Sequence, residues 1–259
     1  MQQPRHKIID ITDKNMDKFD LFCQKSHAKD EGYQNKVNWF KKRYKEGLRI
    51  KLLMIDEGKR GLRSRGFIEY MPGENSWRGV DAEEWLVIHC IWVVGRNKKF
   101  GLGSKLLRGC INDAKGRNGV AVVTSRKNWL PDERLFIRHG FAKVDELSPF
   151  DLYALKLKKT AKSPRFYSIS EKKKNSYGKG LTVFVTAQCP YIHNSVIGIQ
   201  RLAKKTKIPL RIQHIENHNE LKKHCVHPYG VFCVLLNGNV VSYYPGGSVY
   251  ETKQAVKSQ

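Results

Sequence analysis

The run from Trp85 to Val94, WLVIHCIWVV, constrains this chain more than any other segment. It is apolar on both faces except at His89 and Cys90, and such a strand must be covered on both sides. A basic, glycine-rich turn follows from Gly95 to Ser104. From Ser104 to about Arg117, Leu106, Leu107, Cys110, Ile111 and Ala114 then share one helical face at spacings of three and four. A central strand, a glycine turn and an amphipathic helix in that order specify an α/β fold built around a sheet.

The neighbouring segments fill out that sheet. Lys7 to Thr12 reads as a first strand. Asp13 or Asn15 can cap a helix through about Lys25, with Met16, Phe19 and Phe22 at helical spacing. Phe40 and Tyr44 mark a second helical stretch. Leu48–Ile55 and Ser64–Tyr70, turned at Gly58–Gly61, read as an antiparallel hairpin. Gly119 leads into the strand Val120–Thr124. Asp132 to His139 is a helix closed by Gly140, and Leu152–Leu157 is the last strand. The expected first domain is 1–160, and a fragment ending near Thr160 is expected to fold alone. Residues 161–180 read as a linker, with a short strand from Arg165. A second α/β pattern occupies 181–259: strand Thr182–Thr186, helix Ile192–Lys205, strand Leu210–Ile215, short helix Asn219–Cys225, and a hairpin of Val231–Leu236 with Val240–Tyr244. Asn237-Gly238 turns that hairpin, because both positions tolerate positive φ.

Composition narrows the partners without choosing one. The net charge of +24, from 48 Lys and Arg against 24 Asp and Glu, suits phosphate-bearing ligands, nucleic acids and anionic surfaces. The basic residues are spread along the chain rather than gathered in one tract, and no nucleic-acid-binding signature accompanies Trp39, Tyr44, Trp77 or Trp129. A nucleic-acid-binding protein is therefore the rival class. No apolar stretch reaches the roughly 20 residues of a membrane helix, so no membrane partner is expected. The six cysteines, with no C-x-x-C pair and no zinc-finger grid, suggest reduced thiols in a cytoplasmic protein and no metal. A homodimer is compatible with all of this.

The turn carries the chemistry. In Lys98-Lys99-Phe100-Gly101-Leu102-Gly103-Ser104 the glycines let backbone N–H groups face an anion, the helix start adds a favourable dipole end, and the lysines add counter-charge. Bulk at Gly103 is expected to obstruct a phosphate and resist the turn. With Leu135-Phe136-Ile137-Arg138-His139-Gly140-Phe141 downstream, residues 1 to about 158 resemble the GNAT N-acetyltransferases. That family's motif reads [Gln/Arg]-x-x-Gly-x-[Gly/Ala], so Lys98 departs from it, keeping the charge but losing the planar fork. The second signature places an aromatic residue ahead of a Gly-Phe pair. The resemblance implies a GNAT acyl-CoA N-acyltransferase fold with acetyl-CoA as co-substrate. Its pyrophosphate would lie over Gly101 to Ser104, and its acyl carbonyl would bond to backbone N–H near Trp92, Val93 and Val94. An amine acceptor would attack the thioester directly.

For the base, His89 stands where relatives often carry Glu, and its reference pKa near 6.5 suits amine deprotonation. A buried histidine bonded to a carbonyl is the plain alternative, and Glu69 and Glu84 compete with it. The family's usual thiolate proton donor is a tyrosine, but Phe136 occupies that position. Tyr153 or water must then serve, or the domain is a non-catalytic CoA-binding sensor or scaffold.

The C-terminal pattern resembles the thioredoxin/glutaredoxin fold, and more closely the C-terminal domain of YoaP-like acetyltransferases. Cys189-Pro190-Tyr191 matches the start of the glutaredoxin motif, while Ile192 replaces its resolving cysteine. The fold's usual cis-proline has its counterpart in Pro228, about two residues early relative to Gly238. Cys189 is either a reactive monothiol at a helix start, serving a thiol-containing substrate, or a small packed thiol.

Overall fold

The computed structural model describes residues 4–126 and 129–258, with the side chains of Arg96, Lys98 and Lys99 excepted. The chain divides into two compact units, and the division is not linear. Unit 1 comprises 1–25, 40–76 and 80–166, while unit 2 comprises 26–39, 77–79 and 167–259.

In chain order the first strands and helices are β1 (His6–Ile11), α1 (Glu31–Tyr44), β2 (Arg49–Asp56), β3 (Leu62–Pro72), β4 (Val80–Asp81), β5 (Trp85–Val93), α2 (Leu102–Asp113), β6 (Gly119–Thr124), α3 (Arg134–Ile137), β7 (Ala142–Leu147), β8 (Phe150–Lys156) and β9 (Arg165–Phe166). Unit 1 is built on a seven-stranded sheet of order β1-β2-β3-β5-β6-β8-β7. Every neighbouring pair is antiparallel except β5 with β6. The parallel pair is the one that α2 connects, as a crossover requires. Leu102, Leu106, Leu107 and Cys110 of α2 are fully buried against Ile68, Tyr70, Leu86, Ile88, Ile91 and Val93. Each such leucine contributes roughly 1.5–3 kcal/mol. Asp113 ends α2 in a hydrogen bond from Tyr70 and a 3.0 Å ion pair with Lys51, which anchors the helix to β3 and β2.

Several expectations are corrected here. No helix forms between Asp13 and Lys25; the segment is a series of turns ending in a short 3-10 helix at Lys25–His27. Phe22 (φ 72) and Gln24 (φ 54) are left-handed, a conformation a continuing helix excludes. The helix expected over Asp132–His139 shrinks to α3, and α2 starts two residues before Ser104 and stops before Arg117. The strand β7 was not foreseen. Its sequence, AKVDEL, lies at the sheet edge with no residue fully buried, so it lacks apolar alternation.

Unit 2 continues with α4 (Glu171–Asn175), β10 (Leu181–Val185), α5 (Tyr191–Thr206), β11 (Leu210–His214), α6 (His218–His224), β12 (Phe232–Leu236), β13 (Asn239–Ser242) and α7 (Ser248–Lys257). The sheet order is β11-β10-β12-β13, with β10 parallel to β11 and antiparallel to β12. The β12–β13 hairpin turns at Asn237 (φ 53) and Gly238 (φ 82), as the Asn-Gly pair requires. The helix α7 had no counterpart in the sequence reading.

His227 lies in the loop before β12, buried, with Nδ1 accepting the Tyr229 N–H at 3.1 Å. Burial foremost lowers its pKa to about 3. Between that value and the unfolded value near 6.5 the unfolded chain binds the extra proton, so stability is complete above that window and falls as pH drops through it. The slope is about 1.4 kcal/mol per pH unit for one proton. Urea titrations of His227→Asn against wild type across that window are expected to lose this slope; parallel curves would show that the imidazole is not held neutral.

Candidate active site

The two central strands of unit 1 part company. β5 and β6 pair from Trp85–Gly119 to Ile88–Val122 and no further. Beyond that point β5 continues with β3 as far as Val93, and β6 continues with β8 as far as Thr124. The divergence begins at a bulge: Glu69 pairs with Cys90 and Tyr70 with Ile88, leaving His89 as the extra residue. A bulge bends its strand and increases the local twist. The result is a wedge-shaped gap between β5 and β6.

Backbone polarity at the gap follows from the ladder. The Val94 N–H donates to Arg65 O at 2.8 Å, which makes Val93 and Gly66 a non-hydrogen-bonded pair. The Val93 N–H therefore points away from β3, into the gap. By alternation the N–H groups of Trp92 and Val94 face β3, so of the three expected carbonyl partners Val93 alone presents its amide there. Gly66 is required opposite it, since a Cβ would lie 2.8 Å from Trp92 O.

At the end of β5 a short 3-10 helix, Gly95–Phe100, leads to Gly101 and then α2. No side chain caps α2. The amides of Leu102, Gly103 and Ser104 have no acceptor within the helix, and the Lys105 N–H is the first to reach back, to Gly101 O at 3.2 Å. These amides and the helix dipole can receive an anion. Phe100 is half-buried against the core. The side chains of Lys98 and Lys99 lie outside the described part of the structure.

Gly101, not Gly103, carries the conformational demand. Its φ is 68°, and a Cβ there would meet nothing within 4 Å, whereas a Cβ on Gly103 would face Leu135 at 3.7 Å and Val93 at 4.0 Å. The expectation that bulk at Gly103 would strain the turn is thus corrected. A valine at Gly101 would stand in a left-handed conformation costing roughly 1–2 kcal/mol, enough to depopulate the cradle about tenfold. Calorimetric titration with acetyl-CoA is expected to show that loss for Gly101→Val and wild-type affinity for Gly103→Ala. The reverse ranking would move the anion site elsewhere.

Two of the candidate bases are brought together. Glu69 and His89 are each about 1% exposed, with His89 Nδ1 3.3 Å from Glu69 Oε1. Ser76 Oγ lies 3.5 Å from His89 Nε2. When Glu69 is ionised its carboxylate only accepts, and the proton of that contact is then carried by His89 Nδ1. No spacing in the sequence pointed to Ser76, which lies 13 residues before His89. Glu84 stands apart, just before Trp85. Its N–H donates to Glu74, its carboxylate accepts from Asn118 at 3.2 Å, and the four residues of β5 paired with β6, Trp85 to Ile88, separate it from the gap.

Tyr153 of β8 lies opposite Val122, where the gap opens, and shares the core with Phe136. Burial, then Asp151 and Glu133, raises its pKa, so the phenol keeps its proton at neutral pH. Phe136 is fully buried, edge-on to Phe141 at 5.4 Å. In unit 2, Cys189 is partly exposed, two residues before the first residue of α5. All six cysteines are free thiols. Among the described residues the one cis peptide precedes Pro149, so Pro228 follows a trans bond. Among them, too, no group of three or more His, Cys, Asp or Glu is placed to hold a metal, and no helix is long and apolar enough to cross a membrane.

The chain is 32% identical over 241 residues to an uncharacterized N-acetyltransferase, YoaP, of Bacillus subtilis (strain 168), covering 91% of this chain and 92% of that protein. The chain belongs to the GNAT N-acetyltransferase family. No family model matches the chain. Among solved structures, an acetyltransferase of the GNAT family from Desulfovibrio desulfuricans is 16% identical, covers 60% of this GNAT chain and 100% of its own, and has a TM-score of 0.42. YhbS from Escherichia coli, solved with CoA, is 14% identical over 64% of this chain and 92% of its own, with a TM-score of 0.40.

Proposed function

We propose that this protein transfers an acetyl group from acetyl-CoA to an amine in the gap between β5 and β6. The observation that carries this reading is the Val93 N–H, left without a strand partner and aimed into that gap. An amide fixed there can stabilise the oxyanion formed when an amine adds to the thioester carbonyl. The pyrophosphate would rest on the amides of Leu102 to Ser104. As the N–C bond forms, the amine proton passes to the Glu69–His89 pair. As the C–S bond breaks, the electron pair goes to sulfur, and Tyr153 or water protonates the thiolate. Phe136 has no hydroxyl to offer, and the fully buried ring is a core element.

We further infer a thioredoxin-like role for residues 167–259. A parallel β10–β11 pair joined by α5, followed by the β12–β13 hairpin, supports that reading. Cys189, at the start of α5, would be its reactive monothiol.

Acetyl-CoA titrated into the full-length chain, followed by thioester turnover with polyamines, amino acids, aminoglycosides and peptide N-termini, tests the transferase. Binding with turnover on one class is expected, together with a reduced rate in Tyr153→Phe. Binding without turnover on any amine would favour the CoA-binding scaffold instead.

A further inference from the structure

On the face of the unit 1 sheet away from α2, a lysine is held in place with one donor to spare. Ile68 and Tyr70 of β3 and Ile91 and Val93 of β5 pack with α2, so by alternation Phe67, Trp92 and Val94 point to the opposite face. Phe22 lies over Phe67 at 4.7 Å between ring centroids, which brings the end of the 13–25 segment onto that face. Both Asp20 oxygens are engaged there: Oδ1 accepts the Phe22 N–H at 2.9 Å, and Oδ2 accepts the Ser64 hydroxyl at 2.7 Å. The Lys25 ammonium donates to Ser64 O at 2.7 Å and to Ser64 Oγ, and it lies 5.5 Å from the Phe22 ring centroid. An ammonium has three donors. The third has no acceptor among the described residues, since Asp20 Oδ2 stands 3.9 Å away, an ion-pair distance rather than a hydrogen bond. Burial foremost lowers the Lys25 pKa, Asp20 opposes the fall, and Arg65 and Arg63 add to it. The ammonium is thus short of negative charge, in a chain whose net charge is +24. The Lys25 side chain is 30% exposed, and Trp92 and Val94, on either side of Val93, are 49% and 39% exposed. An open apolar surface therefore leads from Lys25 toward the gap.

We propose that Lys25 is a specificity-determining residue that receives an anionic group on the amine acceptor. The inference rests on the reading of the Val93 amide as the place where the thioester carbonyl binds. Ser64 lies two residues from Gly66, which pairs with Val93, and the Val93 amide points beyond β5 into the gap. At about 3.3 Å per residue along a strand and about 4.8 Å between strands, the ammonium and the reacting carbon are separated by on the order of 10 Å. An α-amino acid is too short to span that distance. The acceptor class is therefore an amine whose carboxylate or phosphate lies at the far end of an apolar or peptide chain, with Trp92 beneath the chain. Polyamines and aminoglycosides bring positive charge to a lysine that already feels Arg63 and Arg65, and the same field rejects them.

Three amines of similar length, hexylamine, ε-aminocaproate and aminohexyl phosphate, differ only at the end that would meet Lys25. Each is titrated calorimetrically into the full-length chain with CoA in excess. Both anionic amines are expected to bind about 10–100-fold tighter than hexylamine, the worth of a hydrogen bond to a charged group, and the tighter of the two names the anion. Lys25→Met is expected to abolish that preference, and Lys25→Arg to keep most of it. Equal affinity for the three amines in the wild type would overturn the proposal. So would a Lys25→Met chain that keeps the preference, or one that loses hexylamine to the same degree as the anionic amines, which would make Lys25 a structural tie of the 20–25 segment. Glycine binding as tightly as ε-aminocaproate would refute the span. Should Lys25→Met fail to fold, Lys25→Gln keeps a donor without the charge, and the same outcomes decide. Turnover of the same amines with acetyl-CoA reports separately on the transferase reading. A preference in binding without turnover leaves the anion subsite standing and counts against acetyl transfer, whereas turnover without preference does the reverse.

Discussion

A fragment ending at Thr160 is expected not to fold cooperatively, although its sequence contains every strand of the seven-stranded sheet. Residues 26–39 and 77–79 group with residues 167–259, and truncation removes what buries them. Tyr33, Trp39 and Trp77 are all under 8% exposed, and each such aromatic contributes roughly 1.5–3 kcal/mol by burial. Arg78 would lose Tyr229, Gly79 would lose Pro228, and Gly32 would lose the Pro190 carbonyl against which it packs too closely for any Cβ. The losses together approach the 5–15 kcal/mol that separates a native domain from its unfolded chain. Calorimetry and near-ultraviolet circular dichroism of residues 1–160 are expected to show no cooperative transition and little fixed aromatic signal, against a sharp melt for the full chain. A cooperative melt of the fragment would show that the two segments are dispensable and would restore the independent folding that the sequence suggests.

The reason for that difference is physical. Periodicity reports which face of a segment is apolar, not which distant residues cover it. Arg78 finds its partner in Tyr229, 151 residues along, and no local pattern encodes that distance. What is local was legible: the apolar strand β5, the amphipathic stripe of α2, the hairpin of β2 and β3, and the Asn-Gly turn of β12 and β13. The helix expected before Lys25 failed because spacing of Met16, Phe19 and Phe22 says nothing about backbone handedness, and Phe22 turns out left-handed. At the site, the glycine turn announced itself by composition, yet the demand falls on Gly101 rather than Gly103, a distinction that only φ reveals. In the sequence His89 is the first candidate for the base, with Glu69 and Glu84 competing with it. The bulge at His89 separates them, because it places Glu69 and His89 together and leaves Glu84 at the far end of β5.

Glu69→Gln is expected to lower kcat by about 10²–10⁴-fold, the usual contribution of a positioned base, with acetyl-CoA affinity unchanged. The substitution keeps the shape and an oxygen able to accept from His89 Nδ1, so the bulge is expected to survive and the lost chemistry to be that of the carboxylate alone. The ring has two nitrogens, one directed at Glu69 and the other at Ser76. A carboxyl group protonated on one oxygen still accepts on the other, so Glu69 can take the amine proton and keep its contact with His89 Nδ1, whereas a proton arriving on Nε2 would displace Ser76. His89→Gln is accordingly expected to cost less than Glu69→Gln and to move the acidic limb of the pH profile, while Glu84→Gln is expected to leave turnover at the wild-type level. Turnover with the best amine of the panel decides among them. Should Glu69→Gln keep its full rate while Glu84→Gln or His89→Gln loses it, the carboxylate beside the bulge is structural and the base lies elsewhere.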